Sequence, residues 1–151
     1  MNKDKILLYF ALKYDGNFNK IYNAISRHEP IDFNDYNQTI GKLKHKYITM
    51  LDSRYPDYLK DKVNPPIVLF YHGNTKLFEN EFVEPKYAEL DSGNRFISTA
   101  YPVLDDPTHF IFDYVIMAES QKDLDFLIEH INKKGVPLKN YERPKENIKE
   151  R

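Results

Sequence analysis

Apolar residues recur at helical spacing along the first forty positions. Ile6, Leu7, Phe10, Ala11 and Tyr14 share one face, and Asp15-Gly16 ends that helix. Asn17 is placed to cap a second helix, in which Phe18, Ile21, Tyr22 and Ile25 repeat the same spacing before Pro30 closes it. Asp32 is placed to cap a third, carrying Phe33, Tyr36, Ile40 and Leu43, with Gly41 as its weak point. Residues 1–46 therefore read as a small helical subdomain.

The pattern then turns to short β-branched and aromatic runs. Tyr47 to Leu51 predicts a strand, Asp52 to Pro56 a turn, and Asp57 to Lys60 one helical turn. Asn64-Pro65-Pro66 leads into Ile67 to Tyr71, apolar on both faces as a central strand is. Thr75 to Asp91 carries no clear period. Asn94 to Ala100 predicts a strand and Asp105-Asp106-Pro107 a loop. Phe110 to Ala118 predicts a second central strand. Ser120 with Asp123 forms a capping box, followed by the helical stripe Leu124, Leu127, Ile128 and Ile131. Lys133-Lys134, Gly135 and Pro137 mark the helix end, and Val136 to Tyr141 predicts a returning strand. Strand, helix and strand in that order predict a right-handed βαβ unit. The fold expected is α/β: the helical subdomain, a reduced Rossmann-like sheet over 47–141 ending in that βαβ unit, and a charged tail over 142–151.

Composition narrows the chemistry. The chain of 151 residues has no cysteine, which excludes zinc fingers, iron–sulfur clusters and thiol catalysis. Lys and Arg number 22 against 23 Asp and Glu, so whole-surface binding of a polyanion is excluded and only a local basic patch is left for that role. An aromatic content of 15%, all Tyr and Phe, marks a folded domain. Lys outnumbers Arg, and Asn, Ile and Tyr are abundant, the usage of an AT-rich bacterial, phage or plasmid genome. The longest apolar run, Ile6 to Leu12, falls short of the roughly 18–20 residues of a membrane span. Lys13-Tyr14-Asp15-Gly16 follows it in place of a signal-peptide cleavage site, so the expected location is cytoplasmic, with no membrane partner.

Few residues suggest a site. Asp105, Asp106 and His109 suit either a divalent metal or an ordinary Asx-rich loop, and without a second ligand set the loop is preferred and no metal is expected. His72-Gly73-Asn74-Thr75-Lys76 follows a buried strand, where backbone N–H groups and Lys76 suit a phosphate. With one glycine it also reads as a plain turn. Glu129-His130 lacks the spacing of a zinc protease, and no nucleophile elbow or Gly-rich nucleotide loop is present, so no catalytic residue and no cofactor are expected. Arg54 and Arg95 draw notice because Arg is scarce and suits bidentate phosphate contact and base stacking. The competing reading of each is a surface salt bridge.

One stretch resembles a known family. Asp52, Tyr55-Pro56 and Leu59, then Pro65-Pro66, Leu69-Phe70 and Gly73-Asn74, are similar to the signature that opens the Rossmann-like part of the DNA-processing protein A family (DprA, also called Smf). The N-terminal helices resemble that family's helical domain. Asn94-Arg95-Phe96-Ile97-Ser98 and the strand and helix after it resemble later segments. The family's G-S-R and G-[LF]-A-x-G-[IV]-D loops are missing, so the chain resembles a condensed or truncated member. The resemblance implies single-stranded DNA binding without catalysis, a recombinase or other protein partner, and self-association. It implies DNA contacts at Asn94 and Arg95, to which the reading of the residues themselves adds Arg54, His72 and Lys76 as candidates. The alternative is a protein–protein interaction module that has lost DNA binding. A nucleotide-binding domain is a weaker third reading.

Overall fold

The computed structural model describes residues 2–80, 84–106 and 109–134. Helices α1 (Lys3–Lys13), α2 (Phe18–Ser26) and α3 (Phe33–Ile40) come first. Each starts where a short polar side chain satisfies an orphan backbone N–H. Asn2 accepts from Lys5, Asn17 from Lys20, and Asp32 from Asp35. The third helix ends at Ile40, short of Leu43, because Gly41 takes the C-cap. Strand β1 (Lys46–Thr49), the single-turn α4 (Asp57–Lys60), strand β2 (Val68–Gly73) and a 3₁₀ turn at Thr75–Glu79 follow. Strands β3 (Lys86–Glu89), β4 (Arg95–Asp106) and β5 (His109–Ala118) then lead into α5 (Gln121–Lys134).

The strands form one sheet in the order β1-β2-β5-β4-β3. The α/β class and the N-terminal helices are as the sequence predicts, and Phe110 to Ala118 does lie in the central strand. The Rossmann-like arrangement is corrected, because every pairing among the described strands is antiparallel. For two of the four pairings the cause is connection length. Strands β3 and β4 are joined by five residues, and β4 and β5 by two. Such connectors permit only antiparallel neighbours, since a parallel pair needs a crossover of a dozen residues or more. Asp105 and Asp106, expected in a loop, continue β4, with Asp106 opposite His109. The strand predicted over Val136 to Tyr141, the second arm of the βαβ unit, lies outside the described residues, as does the 142–151 tail.

Strand alternation sends side chains to two cores. On one face Val68, Phe70, Phe96, Ile116 and Ala118 meet Leu8, Phe10 and Ala11 of α1, Ile21 of α2, and Leu124 and Leu127 of α5. The N-terminal helices and the sheet thus share one core. On the other face Ile48, Leu69, Ile97, Val115 and Met117 meet Tyr55, Leu59 and Leu77 from the connections.

Polar contacts fasten the helices to the sheet's C-terminal helix. The Gln121 side chain accepts from the backbone N–H groups of Lys44 and His45 and donates to the Lys42 carbonyl. Asp125 pairs with Lys44 and His45, each at 2.7 Å. Burial opposes the charge on Asp125, but the hydrogen bonds from these two residues prevail and hold its carboxyl below the usual range. Half of the predicted capping box is present: the Asp123 N–H donates to Ser120 Oγ at 3.1 Å, while the Asp123 carboxylate accepts from the Ser120 hydroxyl at 2.8 Å in place of the Ser120 N–H. Gly16, at φ +78°, lies against the Glu119 carbonyl, and a Cβ there would run into it.

Candidate functional site

Arg95 opens β4 at the sheet end where β5 finishes. Its Nε donates to Glu119 Oε1 at 3.0 Å and its Nη2 to Oε2 at 2.7 Å, a two-pronged ion pair. The Arg95 backbone N–H donates to the same carboxylate at 2.6 Å. Nη1 donates to the Asn64 carbonyl at 2.6 Å and to the Tyr87 hydroxyl at 3.2 Å, and the guanidinium carbon lies 5.4 Å from the centre of the Phe18 ring. The side chains are 18% and 3% exposed for Arg95 and Glu119. Burial disfavours the guanidinium charge, yet Glu119 outweighs that and keeps it protonated. The Tyr87 hydroxyl beside it is pushed up in pKa by burial. Four of the five guanidinium N–H groups are accounted for by these bonds. Arg95 is thus engaged with its own protein.

Asn94 is buried. Its Nδ2 donates to the Asp15 carbonyl at 2.8 Å and to Asp123 Oδ2 at 2.9 Å. One amide therefore ties the α1–α2 turn to the start of α5. A small polar hollow of about 280 Å³ adjoins this cluster, lined by Asn17, Asn64, Ser92, Gly93 and Arg95 among others.

The other candidates lie elsewhere. Arg54 sits over β2, two strands from β4, and its guanidinium clamps Asp52 at 2.8 Å and donates to the Tyr71 hydroxyl at 3.1 Å. Arg54, by those hydrogen bonds, holds the Asp52 carboxyl below its usual range. His72, one residue before the end of β2, faces the opposite side, with Nε2 3.2 Å from the Tyr114 hydroxyl. The His72 to Lys76 segment is a structural turn. Asn74 N–H donates to the Tyr114 carbonyl, Lys76 N–H to the Asn74 side chain, and Leu77 N–H to the Asn74 carbonyl. Two of the backbone donors expected to cradle a phosphate, those of Asn74 and Lys76, are thus already occupied. Gly73, at φ +110°, is pressed against the Tyr114 carbonyl. Lys76 is exposed. Arg95 borders the row Phe70–Ala118–Phe96, and Gly73 the row Gly73–Val115–Thr99, three residues or about 10 Å further along the strands. The five candidates do not converge on one patch.

The side chains of Asp105, Asp106 and His109 lie outside the described part of the structure. Among the described residues no group of three His, Cys, Asp or Glu could hold a metal ion, and no helix is long and apolar enough to cross a membrane.

The residues that carry the family resemblance have structural tasks. The Tyr55 hydroxyl donates to the Pro66 carbonyl at 2.6 Å, Leu59 and Phe70 are fully buried, Pro56 takes the position before α4, and Asn74 caps the 3₁₀ turn and donates to Asp113 at 2.8 Å. Burial raises the Tyr55 phenol pKa, which keeps it a donor.

A second feature went unmarked in the sequence. The stripe Lys3, Ile6, Leu7 and Phe10 of α1 floors an open groove of about 720 Å³. Phe18, Tyr22 and Ile25 of α2 form one wall, and Met50, Leu51, Pro65 and Ile67 the other. Tyr22, Met50 and Leu51 are exposed, Leu51 at 59%. Contiguous apolar surface of this kind marks an interaction or ligand site more often than scattered exposed residues do. The available sequence signal was α1 itself: Ile6 to Leu12 is apolar almost all round, so one face served the core and another was left over.

No protein-family model, no curated protein and no solved structure matches this chain.

Replacing Arg95 by Ala strands the buried Glu119 carboxylate and is expected to cost about 3–5 kcal/mol in urea unfolding. Arg54→Ala, in a half-exposed pair, should cost about 1 kcal/mol or less. Equal effects would show that Arg95 is not a fastener.

Proposed function

We propose that this chain is a non-catalytic protein-interaction domain, built on a helical and sheet framework that resembles the DprA family at the level of its signature. The observation that carries this reading is the open apolar groove between α1, α2 and the segments flanking β1 and β2. Leaving Tyr22, Met50 and Leu51 in water costs hydrophobic free energy that a partner would recover. The arginine best suited to phosphate is committed to Glu119, which supports the interaction reading over DNA binding.

Charge supports it as well. Residues 47–134, which contain all five sequence-proposed DNA contacts, carry nine Lys and Arg against fifteen Asp and Glu. A net acidic surface repels a polyphosphate backbone. One observation favours single-stranded DNA as a second reading. On the face opposite α1 and α5, Lys62 lies 4.2 Å from the centre of the Tyr58 ring and Arg54 lies 5.8 Å from that of Tyr71. Cation and aromatic pairs of this kind serve as stacking platforms.

The test is site-specific photo-crosslinking in cells, with a benzophenone amino acid in place of Leu51 or, as control, of the exposed Glu79. Discrete protein adducts from position 51 and none from position 79 are expected. Adducts to nucleic acid alone, or none above the control, would overturn the reading.

A further inference from the structure

The groove has a shape and a charge, and together they specify an occupant. Its floor runs from Lys3 to Phe10 on α1, seven residues or about 10 Å of helix. Phe18 to Ile25 on α2 runs the same length. Side chains at i, i+3, i+4 and i+7 line it from α1 (Lys3, Ile6, Leu7, Phe10) and at i, i+4 and i+7 from α2 (Phe18, Tyr22, Ile25), a spacing that suits another helix. The described residues that line the groove lie outside the strands, which favours a helix over an added β-strand.

Charge then selects among helices. Residues 1–46, which supply most of the lining, carry eight Lys and Arg against five Asp and Glu. Lys3 lines the groove, is exposed and has no ion pair among the described residues. Glu29, the acidic residue of the lining, is already spoken for: Lys13 pairs with it at 2.8 Å and the Tyr14 hydroxyl donates to it at 2.7 Å. The uncompensated charge of the lining, that of Lys3, is positive.

Other occupants fit less well. A second copy meeting groove to groove about a two-fold axis would set like charges against each other. Residues 135–151 of this chain carry five Lys and Arg against three Glu, the same wrong sign. A flat anionic membrane would not enter a furrow walled on both sides.

We infer that the groove receives an acidic amphipathic helix from a protein partner, two to three turns long, with its apolar stripe on Ile6, Leu7, Tyr22 and Leu51 and its carboxylates towards Lys3. This inference rests on the interaction reading above and names the chemistry of the partner. Binding buries the stripe in the groove and pairs its flanking Glu or Asp with the basic N-terminal part, so salt weakens it.

The experiment is a selection on the full chain from a library of helical peptides of about sixteen residues. Apolar residues are fixed at i, i+3, i+4 and i+7, and the remaining positions are randomised among Glu, Gln and Lys. The Leu51→Lys variant, altered at an exposed position and checked for folding by circular dichroism, provides the counter-selection. Enrichment of Glu-rich peptides that bind wild type at least about tenfold tighter than Leu51→Lys, and that lose affinity with Lys3→Glu, is the expected result. Enrichment of Lys-rich or uncharged peptides would overturn the acidic partner while leaving the groove as an interaction surface. No enrichment over the counter-selection would overturn the helical occupant, and position-51 crosslinks to protein would still decide the interaction reading separately. A dimer by light scattering that Leu51→Lys dissociates would overturn it in favour of a second copy. Preferential binding to phosphatidylserine vesicles would overturn it in favour of a membrane.

Discussion

The Arg95–Glu119 pair sets the geometry on which the rest of the chain is hung. A buried carboxylate is costly unless its charge and its lone pairs are met, and here one arginine supplies both side-chain prongs and its own backbone N–H. The contact pins the first residue of β4 to the residue after β5. Asn94, one position earlier, ties the same corner to the α1–α2 turn and to Asp123 of α5. Gly16 lets that turn approach the Glu119 carbonyl closely. Sheet, N-terminal helices and α5 are therefore registered at one polar corner, and the apolar core continues from it. On α1, Ile6 and Leu7 border the groove, Leu8 fills the core, and the buried Phe10 belongs to both.

Local features of this architecture were legible in the chain. Asn17, Asp32 and Ser120 cap the helices they are placed to cap, because a short side chain and its target N–H are three residues apart. The two both-face apolar runs are the middle strands of the sheet for an equally local reason. Strand direction was not legible. A run such as Ile67 to Tyr71 has the same pattern in a parallel or an antiparallel sheet. What decided the matter was β5 folding straight back on β4 and entering between β2 and β4.

The site was harder still. Nothing near Arg95 in sequence announces Glu119, twenty-four residues on, so an arginine scarce enough to suggest a ligand contact is in fact a fastener. The family-like signature has the same character. Tyr55, Leu59, Phe70 and Asn74 are explained by packing and capping, and a pattern kept for such reasons travels with a framework more readily than with a function. The groove escaped notice because Ile6, Leu7 and Phe10 are indistinguishable, by periodicity, from residues that face a core. Only the three-dimensional account of what covers each face separates them.

The central claim is that Arg95 is a structural charge partnered by Glu119. A double-mutant cycle in urea unfolding, with Arg95→Met, Glu119→Leu and their combination, measures it directly. The account predicts that each single change is strongly destabilising, that the double variant recovers much of the loss, and that the coupling amounts to roughly 2–3 kcal/mol. Additive effects, with coupling near zero, would contradict it and return Arg95 to the pool of residues available for a ligand.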